Sequence, residues 1–356
     1  MREIGILTFS NANNIGALLQ AYALQQYLSK FNSVEHIDFR YNSKSGLTQQ
    51  MKKGYNTYAE KIKKLRNLRT ELISREKRKK LDMFRKSYIK FGDNTYTDRI
   101  DTPPNYDVYI VGSDQVWNTD LNGCKDAFYL PFVQQGKKIA YAGSVGRTLT
   151  EEDKKYLAEN IGTFDYVSVR ENDLNDYIVN QLGVNSEVVL DPVFLLTKSE
   201  WLSIEKSVNV PDSYVFVYLM EDNETIRKAA EKAATKYEAR IIWLQGGEKC
   251  SFIGKQIPAA SPNEFIYLIS HAKCVITNSF HGSAFSIILE KPLCMVQHST
   301  RNARLLQLSD IVDSTVKIVK LSEENIRVEE NIVDNVNEKL LVYIDNSKMF
   351  LEKSLG

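Results

Sequence analysis

Residues 275–284 read Val-Ile-Thr-Asn-Ser-Phe-His-Gly-Ser-Ala, which predicts a buried strand, a polar turn and a helix that begins at or near His281. In open α/β sheets, ligands bind beyond the carboxyl ends of such strands. The N-terminus of the following helix offers unpaired N–H groups and the positive end of a dipole, which suit a phosphate or a carboxylate. The stretch therefore indicates an α/β protein with an anion site at a strand-to-helix junction.

Four residues of this stretch have candidate roles at such a site. Ser279 is a helix N-cap or a hydroxyl donor to the anion, while Gly282 and Ser283 keep the backbone accessible. His281 at the mouth of the site is placed for proton transfer. The opposing interpretation is that Ser279 only caps the helix and that His281 is an exposed first-turn residue. The pattern alone does not choose between them.

Outward from this stretch, short apolar runs alternate with amphipathic stretches. The predicted strands are Ile4–Phe9, Val34–Phe39, Tyr106–Val111, Lys138–Ala142, Tyr166–Val169, Glu187–Leu190, Tyr214–Leu219, Arg240–Gln245, Cys274–Thr277 and Leu293–Val296. The predicted helices are Gly16–Lys30, Glu151–Asn160, Asn172–Leu182, Asn223–Tyr237, Pro262–Ala272 and His281–Lys291. This alternation is typical of parallel sheets that are covered by helices on both faces.

The length of the chain indicates two domains. Its 356 residues exceed the roughly 250–300 that one hydrophobic core organises. We expect one Rossmann-like domain at 1–190 and a second at 191–356, because Pro192 and Pro211 bracket a poorly periodic stretch. A last helix at Val333–Phe350 is expected to pack back on the first domain.

Composition argues against several classes of function. The net charge of +1 gives no global field for nucleic acid, and 43% hydrophobic residues are ordinary for a globular protein. Neither the histidines nor the four cysteines show metal-ligand spacing, and nucleotide loops and the esterase elbow are absent from the sequence. We expect no metal and no cofactor. No signal peptide and no run of about 18 apolar residues is recognisable, so we expect a cytoplasmic protein.

One segment departs from this even charge. Residues 52–90 contain fifteen Lys or Arg and four acids, a net charge of +11. Apolar residues recur there at helical spacing and predict a basic helix or helical hairpin inserted in the first domain; they are Tyr58, Ile62, Leu65, Leu68, Leu72 and Ile73. The segment is either a solvated surface or a face for the phosphates of an acceptor or of an anionic membrane.

Other predicted strands end in polar residues suited to a sugar. Residues 106–118 read YDVYIVGSDQVWN, in which Asp114, Gln115 and Asn118 offer hydrogen bonds to hydroxyl groups. Trp117 is predicted to stack on a pyranose face, unless this is a tight turn with a core tryptophan. Asn13 and Asn14 lie in a second polar loop, after the first strand.

Arginines supply candidate charges for the anion. Arg170 ends the strand in YVSVREN (166–172) and is suited to a forked contact with a carboxylate or a phosphate. The alternative is a structural salt bridge to a neighbour such as Glu171 or Asp191. Arg301 and Arg304, after the strand at Leu293–Val296, are placed to reach the same anion.

Seven pieces of sequence, in this order, carry a family resemblance. They are GILTFSNANNIGALLQAYALQQYL, VGSDQVWN, AYAGSVG, VSVREND, VLDPVFLL, ITNSFHGSAFSIILEKPL and the stretch Arg301–Leu308. Together they resemble the polysaccharide pyruvyl transferase family. The resemblance implies two Rossmann-like domains similar to those of GT-B-like glycosyltransferases, with the acceptor on the first domain and the donor on the second.

The resemblance also implies the chemistry. Characterised members transfer the enolpyruvyl unit of phosphoenolpyruvate to two hydroxyls of a sugar or lipid-linked oligosaccharide, forming a pyruvate ketal and releasing phosphate. His281 matches the family's catalytic histidine, and Arg170 matches its donor-binding arginine. Many members have arginine where this chain has Ser279, so Arg301 or Arg304 is expected to replace that charge. Two alternatives stay open: a nucleotide-sugar glycosyltransferase of the same architecture, and a saccharide-binding protein without catalysis.

Overall fold

The computed structural model describes residues 1–40, 58–97, 99–102, 104–121, 126–247, 251–300, 302–312, 318–321, 323, 326 and 337–356, without the side chains of 58–69 and 337. These residues form two parallel β-sheets, each flanked by helices. The predicted fold class, an α/β protein with two Rossmann-like domains, is therefore confirmed.

The first sheet has seven strands in the order β3-β2-β1-β4-β5-β6-β7. The strands are β1 (Glu3–Leu7), β2 (Ser33–Arg40), β3 (Phe91–Thr97), β4 (Val108–Val111), β5 (Lys137–Gly143), β6 (Tyr166–Val169) and β7 (Glu187–Val188). Its helices are α1 (Ile15–Leu28), α2 (Tyr58–Tyr88), α3 (Glu151–Asn160) and α4 (Asn172–Leu182). Short 3-10 turns occupy Ala127–Tyr129, Ile161–Thr163 and Pro192–Leu195.

The second sheet has six strands in the order β10-β9-β8-β11-β12-β13. The strands are β8 (Tyr214–Leu219), β9 (Arg240–Gln245), β10 (Lys255–Ile257), β11 (Cys274–Thr277), β12 (Leu293–Val296) and β13 (Ile318–Val319). The helices are α5 (Lys198–Leu202), α6 (Glu224–Lys236), α7 (Pro262–Ser270), α8 (Phe280–Ile288), α9 (Ala303–Ile311) and α10 (Asn337–Leu355).

Both sheets reverse their strand order at a central pair, β1 with β4 and β8 with β11. The central strands are nearly continuous apolar runs, because parallel strands covered on both faces bury every side chain; β4, β8 and β11 are buried along their whole length. Ligand sites in such sheets lie at the carboxyl edge of the reversal point. In this chain those edges are the loops that follow Leu7, Val111, Leu219 and Thr277.

The two domains share one hydrophobic core at their junction. Trp201 of α5 is fully buried, and its indole lies 5.6 Å from the Tyr22 ring of α1 and 4.8 Å from the Phe285 ring of α8. Its Nε1 donates to the Val193 carbonyl at 3.1 Å. One indole therefore contacts helices of both domains.

Helices α2 and α10 add polar links across the junction. Lys80 of α2 donates to Glu264 Oε2 at 2.9 Å and to the Ala259 carbonyl at 3.0 Å, both in the second domain. Helix α10 follows the second sheet in sequence, yet Ser347 Oγ accepts from the Leu190 N–H at 2.9 Å. Lys137 of β5 also donates to the Ser354 carbonyl at 2.9 Å. Helix α2, which precedes β3 of the first sheet, thus contacts the second domain. Helix α10, which follows β13 of the second sheet, contacts the first domain.

The predicted basic helix corresponds to α2, a single helix of 31 residues. Side chains 58–69, which include Tyr58, Ile62, Leu65 and Leu68, lie outside the described residues. Leu72 is exposed at 63%, so this part of the apolar stripe does not face the core. Within the described part of the chain, none of the helices combines the length and the apolar character needed to cross a membrane.

The indole at the junction yields a test of domain coupling. Replacing Trp201 with Ala removes a buried aromatic side chain and should lower the free energy of unfolding by about 3–5 kcal/mol. Because the indole contacts both domains, chemical denaturation of this variant should separate into two transitions. Trp243→Ala is the matched control, since Trp243 packs with Phe252 inside the second domain. Equal cooperativity in the two variants would contradict a coupling role for Trp201.

Candidate active site

Side chains at the end of β11 fix the start of α8. Ser279 is the N-cap, and its Oγ accepts from the Gly282 N–H at 3.4 Å. Thr277 Oγ1 accepts from the Ser279 N–H at 3.0 Å and donates to the Tyr218 carbonyl of β8 at 2.7 Å. These bonds hold the first turn of α8 against the neighbouring strand, so the position of His281 on that turn is set by the sheet.

Asp191 lies at the centre of a buried cluster that contains groups from both domains. It is 2% exposed, and its Oδ2 lies 2.7 Å from Arg170 Nη1 and 3.7 Å from His281 Nε2. Ser113 Oγ donates to the same oxygen at 3.3 Å. The second oxygen, Oδ1, accepts from the Val193 N–H at 3.1 Å. The carboxylate therefore has a fixed orientation.

Arg170 follows β6, and one nitrogen of its guanidinium group has no hydrogen-bond acceptor among the described residues. Nη1 donates to Ser113 Oγ at 3.1 Å in addition to pairing with Asp191, and the guanidinium carbon lies 4.6 Å from the Phe280 ring centroid. Nη2 is buried, and none of the described residues accepts a hydrogen bond from it. A buried donor without an acceptor is costly, and an anionic ligand would satisfy it.

Arg304 of α9 contacts the same aromatic ring. Its guanidinium carbon lies 5.7 Å from the Phe280 centroid, Nη1 is 3.9 Å from Asp114 Oδ1, and Nη2 is 3.0 Å from the Gln115 side-chain amide. Burial lowers the pKa of Arg304, and the nearby Arg170 charge lowers it further. The two arginines thus repel each other, and an anion between them would relieve that repulsion.

His281 is enclosed by both domains, with a side chain that is 12% exposed. Its Nε2 is buried, and none of the described residues forms a hydrogen bond with it. Burial lowers the pKa of His281; the carboxylates of Asp191 and Asp114 act against that shift, while Arg170 and Arg304 reinforce it. The ordinary value is about 6.5, so the imidazole is neutral at pH 7 in this state.

Gly16, in the first turn of α1, sets the room for the His281 ring. A Cβ at this position would overlap His281 Nδ1. The imidazole therefore lies against the backbone of α1, and only glycine leaves the necessary space. This contact brings the start of α1 in the first domain to the start of α8 in the second.

Glu171 provides an unused acceptor on the first domain. Its side chain is buried, and Oε1 accepts from Ser144 Oγ and from the Gly146 N–H, the latter at 3.2 Å. None of the described residues donates to Oε2, which is also buried. A ligand hydroxyl would satisfy this oxygen. The cluster can thus bind an anion, move a proton and accept hydrogen bonds from a polyol.

A model of the polysaccharide pyruvyl transferase family matches residues 14–300, which include Gly16, Arg170, Asp191 and His281. The chain belongs to the polysaccharide pyruvyl transferase family. No curated protein sequence gives a significant match.

Solved structures that are similar to this chain show its fold. UDP-GlcNAc 2-epimerase from Rickettsia bellii aligns with a TM-score of 0.53 and 12% identity over 99% of this chain and 94% of the epimerase. UDP-GlcNAc 2-epimerase from Neisseria meningitidis, solved with UDP-GlcNAc bound, aligns with a TM-score of 0.50, 12% identity and the same two coverages. At this identity the similarity shows the two-domain GT-B arrangement and nothing of the substrate.

The predicted donor residues separate into two groups. His281, Arg170 and Arg304 meet around Phe280 and Asp191. Ser279, Gly282 and Ser283 use their polar groups inside α8: Ser279 is its N-cap, and Ser283 is buried and donates to the Ser279 carbonyl at 3.0 Å. Arg170 forms the predicted salt bridge to Asp191 and keeps a free donor at Nη2, while its binding of the donor anion stays a prediction. Arg301 lies outside the described residues.

The predicted acceptor residues separate in the same way. Asp114 and Gln115 lie beside Arg304, and Asp114 has a backbone φ of 74°, a strained value for a residue with a side chain. Asn14 caps α1 through the Ala17 N–H at 3.1 Å, while Asn13 is exposed. Asp114, Gln115 and Asn13 therefore remain candidates for a sugar site.

The prediction that Trp117 stacks on a sugar is wrong for this structure. Its indole is 2% exposed, stacks on Tyr129 at 5.9 Å and donates to the Phe128 carbonyl at 3.3 Å. It is a core residue, because Gly143 of the adjacent strand leaves room for the ring. Asn118 is also buried, with its amide bonded to the Val145 carbonyl and the Asp120 N–H. Neither side chain is available to a ligand.

Sequence reasoning missed four contributors: Gly16, Ser113, Glu171 as an open acceptor, and Phe280. Phe280 is next to His281 in sequence, but only the approach of Arg170 and Arg304 from other elements shows its role. Ser113 lies in the polar loop after β4, so its place at a strand end was a usable signal.

The contact at Gly16 can be tested without knowledge of the reaction. Gly16→Ala should leave the circular dichroism spectrum intact and displace the His281 ring, because the new methyl group occupies the place of Nδ1. NMR should then show a changed His281 imidazole resonance and a pKa closer to the ordinary value. Gly162→Ala is the matched control, since its Cβ would have no neighbour closer than 3.9 Å. An unchanged His281 resonance in Gly16→Ala would refute the contact.

Proposed function

We propose that this protein transfers the pyruvyl unit of phosphoenolpyruvate to two hydroxyls of a sugar, in a surface polysaccharide or its precursor. The observation that carries the proposal is the pair of arginines at Phe280, Arg170 buried and Arg304 half-buried, beside a histidine whose Nε2 is unused. Membership of the pyruvyl transferase family supports the same reaction. The arrangement suits a small donor with two anionic groups next to a protonatable carbon.

Arg170 and Arg304 are the proposed ligands of the donor's carboxylate and phosphate. Nη2 of Arg170 has no acceptor among the described residues, so an anion that binds it displaces no protein contact. Arg304 contacts Asp114 at 3.9 Å and the Gln115 amide at 3.0 Å, and an anion would replace these contacts. Phe280 holds both guanidinium planes through cation–π contacts, which limits their motion before the donor arrives.

His281 is the proposed proton donor. Its Nε2 gives a proton to the methylene carbon of the donor, which becomes a methyl group and leaves an oxocarbenium-like centre at the neighbouring carbon. A sugar hydroxyl adds to that carbon and loses its proton. Phosphate then leaves, and the second hydroxyl adds and loses its proton. The two protons released by the hydroxyls restore His281 and protonate the phosphate, so the step balances.

The acceptor is proposed to bind on the first domain, next to Asp114, Gln115 and Glu171. The unpaired Oε2 of Glu171 is fixed in place, because Ser144 and Gly146 hold Oε1. It would accept a hydrogen bond from a sugar hydroxyl, and Asp114 offers a second carboxylate at the same edge. A hydroxyl held between carboxylates and the donor carbon is oriented for addition.

The proposed reaction predicts a specific pattern of losses. His281→Gln should still bind phosphoenolpyruvate by calorimetry, yet lower turnover by about 10²-fold or more, because the acid is removed. Arg170→Lys should weaken donor binding, because lysine lacks the fork. Since the acid must be protonated, kcat/KM should fall tenfold per pH unit above the lowered pKa of His281, and His281→Gln should lose that slope.

The decisive assay mixes isotope-labelled phosphoenolpyruvate with the organism's purified polysaccharide repeat unit and measures label transfer and phosphate release. A product with a new carboxylate supports the proposal. Transfer of label from a UDP-sugar instead would establish the glycosyltransferase alternative, which the nucleotide-sugar enzymes of this fold make worth including. Normal activity in His281→Gln would remove His281 from the mechanism.

We further propose that α2 rests on the anionic inner face of the membrane, where lipid-linked acceptors are carried, and that the enzyme is cytoplasmic. The outer face of α2 presents Leu72 and Met83, exposed at 63% and 54%, in line with the exposed Lys79 and Lys86. Their spacing of about whole turns places them on one side of the helix. Apolar side chains between basic ones suit an anionic lipid surface. Lys80 is excluded, because it bonds to Glu264.

Substitutions that neutralise basic side chains of α2 test this surface. Arg75→Gln, Lys79→Gln and Lys86→Gln together remove three exposed charges, and each contributes about 1 kcal/mol near an anionic leaflet. This variant should sediment less with phosphatidylserine vesicles at low salt than the wild type. The control replaces the exposed Lys155, Lys206 and Lys320 by Gln, with the same change in net charge. Equal sedimentation of both variants would leave α2 a solvated surface.

A further inference from the structure

The charges that surround His281 come from four elements outside its own helix. Asp191 precedes the 3-10 turn Pro192–Leu195, Asp114 follows β4, Arg170 follows β6, and Arg304 belongs to α9. The first turn of α8 carries no acidic residue, and α1 contributes the backbone at Gly16. His281 therefore lies between two carboxylates and two guanidinium groups, which oppose each other.

The distance from Asp191 to His281 has a chemical consequence. At 3.7 Å, Asp191 Oδ2 is too far from His281 Nε2 to form a hydrogen bond. It is close enough for a strong charge–charge interaction in a buried site. Asp191 can thus stabilise the imidazolium form of His281 without holding the proton, so that Nε2 stays free to deliver it.

The two arginine charges offset the effect of Asp191 on the protonation of His281. Oδ2 pairs with Arg170 at 2.7 Å, and both arginine charges disfavour a protonated imidazole. Burial then keeps His281 neutral. An anionic ligand at Arg170 Nη2 and Arg304 would neutralise these two charges and leave Nη1 and Asp191 where they are.

We propose that Asp191 couples donor binding to the protonation of His281: the bound anion neutralises both arginines, and the unopposed Asp191 carboxylate draws one proton from solvent onto Nε2. The proton taken up is the one later delivered to the donor carbon, so no other reactant is required. Asp191 is a positioning residue, since it acts through His281 and Arg170. The identity of the donor rests on the proposed function; the Asp191–His281 coupling does not.

Calorimetry of donor binding tests the coupling. Phosphoenolpyruvate is titrated at pH 7.5 into the full chain in buffers of different ionisation enthalpy, which gives the number of protons taken up per donor bound. The wild type should take up about one proton more than His281→Gln, a reference that also corrects for the donor's own phosphate. Asp191→Asn should lose at least half of that uptake, and Asp191→Glu, which keeps the charge, should retain most of it.

Two results would overturn the inference: wild-type uptake equal to that of His281→Gln, or Asp191→Asn uptake equal to that of the wild type. The first comparison does not need an Asp191 variant, so it decides the matter even if Asp191→Asn fails to fold. A purely structural role predicts that Asp191→Glu and Asp191→Asn behave alike, which also counts against the coupling.

A separate measurement covers the case in which phosphoenolpyruvate does not bind. That outcome contradicts the proposed donor, and the coupling is then tested by NMR titration of the ligand-free protein, whose sequence has four histidines. Asp191→Asn should titrate His281 at a lower pH than the wild type. Glu221→Gln is the control, because Glu221 Oε2 lies 3.4 Å from His298 Nδ1 and should shift His298 alone. An unchanged His281 titration in Asp191→Asn refutes the coupling without reference to any donor.

Discussion

The buried ion pair between Asp191 and Arg170 is the interaction on which the candidate site depends. Both side chains are almost fully inaccessible, and burial of two charges costs several kcal/mol per ion before their attraction is counted. The geometry lowers that cost: Ser113 bonds to both partners, and the Val193 N–H holds the second carboxylate oxygen. A hydrophobic pair of similar volume would stabilise the fold equally well. The two charges are therefore better explained by their effect on the protonation of His281.

The position of the pair is possible only because the domains are joined by a continuous core. Helix α1 is buried at thirteen of its fourteen residues, and Tyr22 in its middle contacts the Trp201 indole at the junction. A helix that is apolar on all sides is a core helix. Its N-terminus is therefore fixed relative to α8, and the space at Gly16 becomes a constraint on His281. The shared core thus determines the geometry of a site whose parts come from opposite domains.

Much of the fold follows from local patterns, and the errors have physical causes. The alternation of apolar runs with amphipathic helices predicts the central strands, because strands buried on both faces cannot carry polar residues. The edge strand β3, FGDNTYT, was missed because its exposed face is polar, and β10 and β13 are only three and two residues long. Strands of that kind are defined by their neighbours and leave little signal in sequence.

In the candidate site, too, local patterns predict some residues and tertiary contacts place the others. The junction at 275–284 locates His281, since a strand end and a helix start are both visible locally. Trp117 was misplaced because a tryptophan after a polar turn suits a sugar and a core equally well; only the space beside Gly143 decides. Phe280, Ser113 and Asp191 gain their roles from contacts between elements more than fifty residues apart. Such contacts are tertiary, and no local pattern contains them.

Ser279 and Arg304 have different roles at the start of α8. The family resemblance implies an arginine at position 279, whereas this chain has a serine there that caps the helix. Arg304 supplies a guanidinium group to the adjacent Phe280 ring from α9 instead. Arg304 also contacts Asp114 and Gln115 of the first domain. In the proposed reaction, a donor anion at Arg304 would replace these contacts, so that Arg304 links the proposed donor site to the residues proposed for the acceptor.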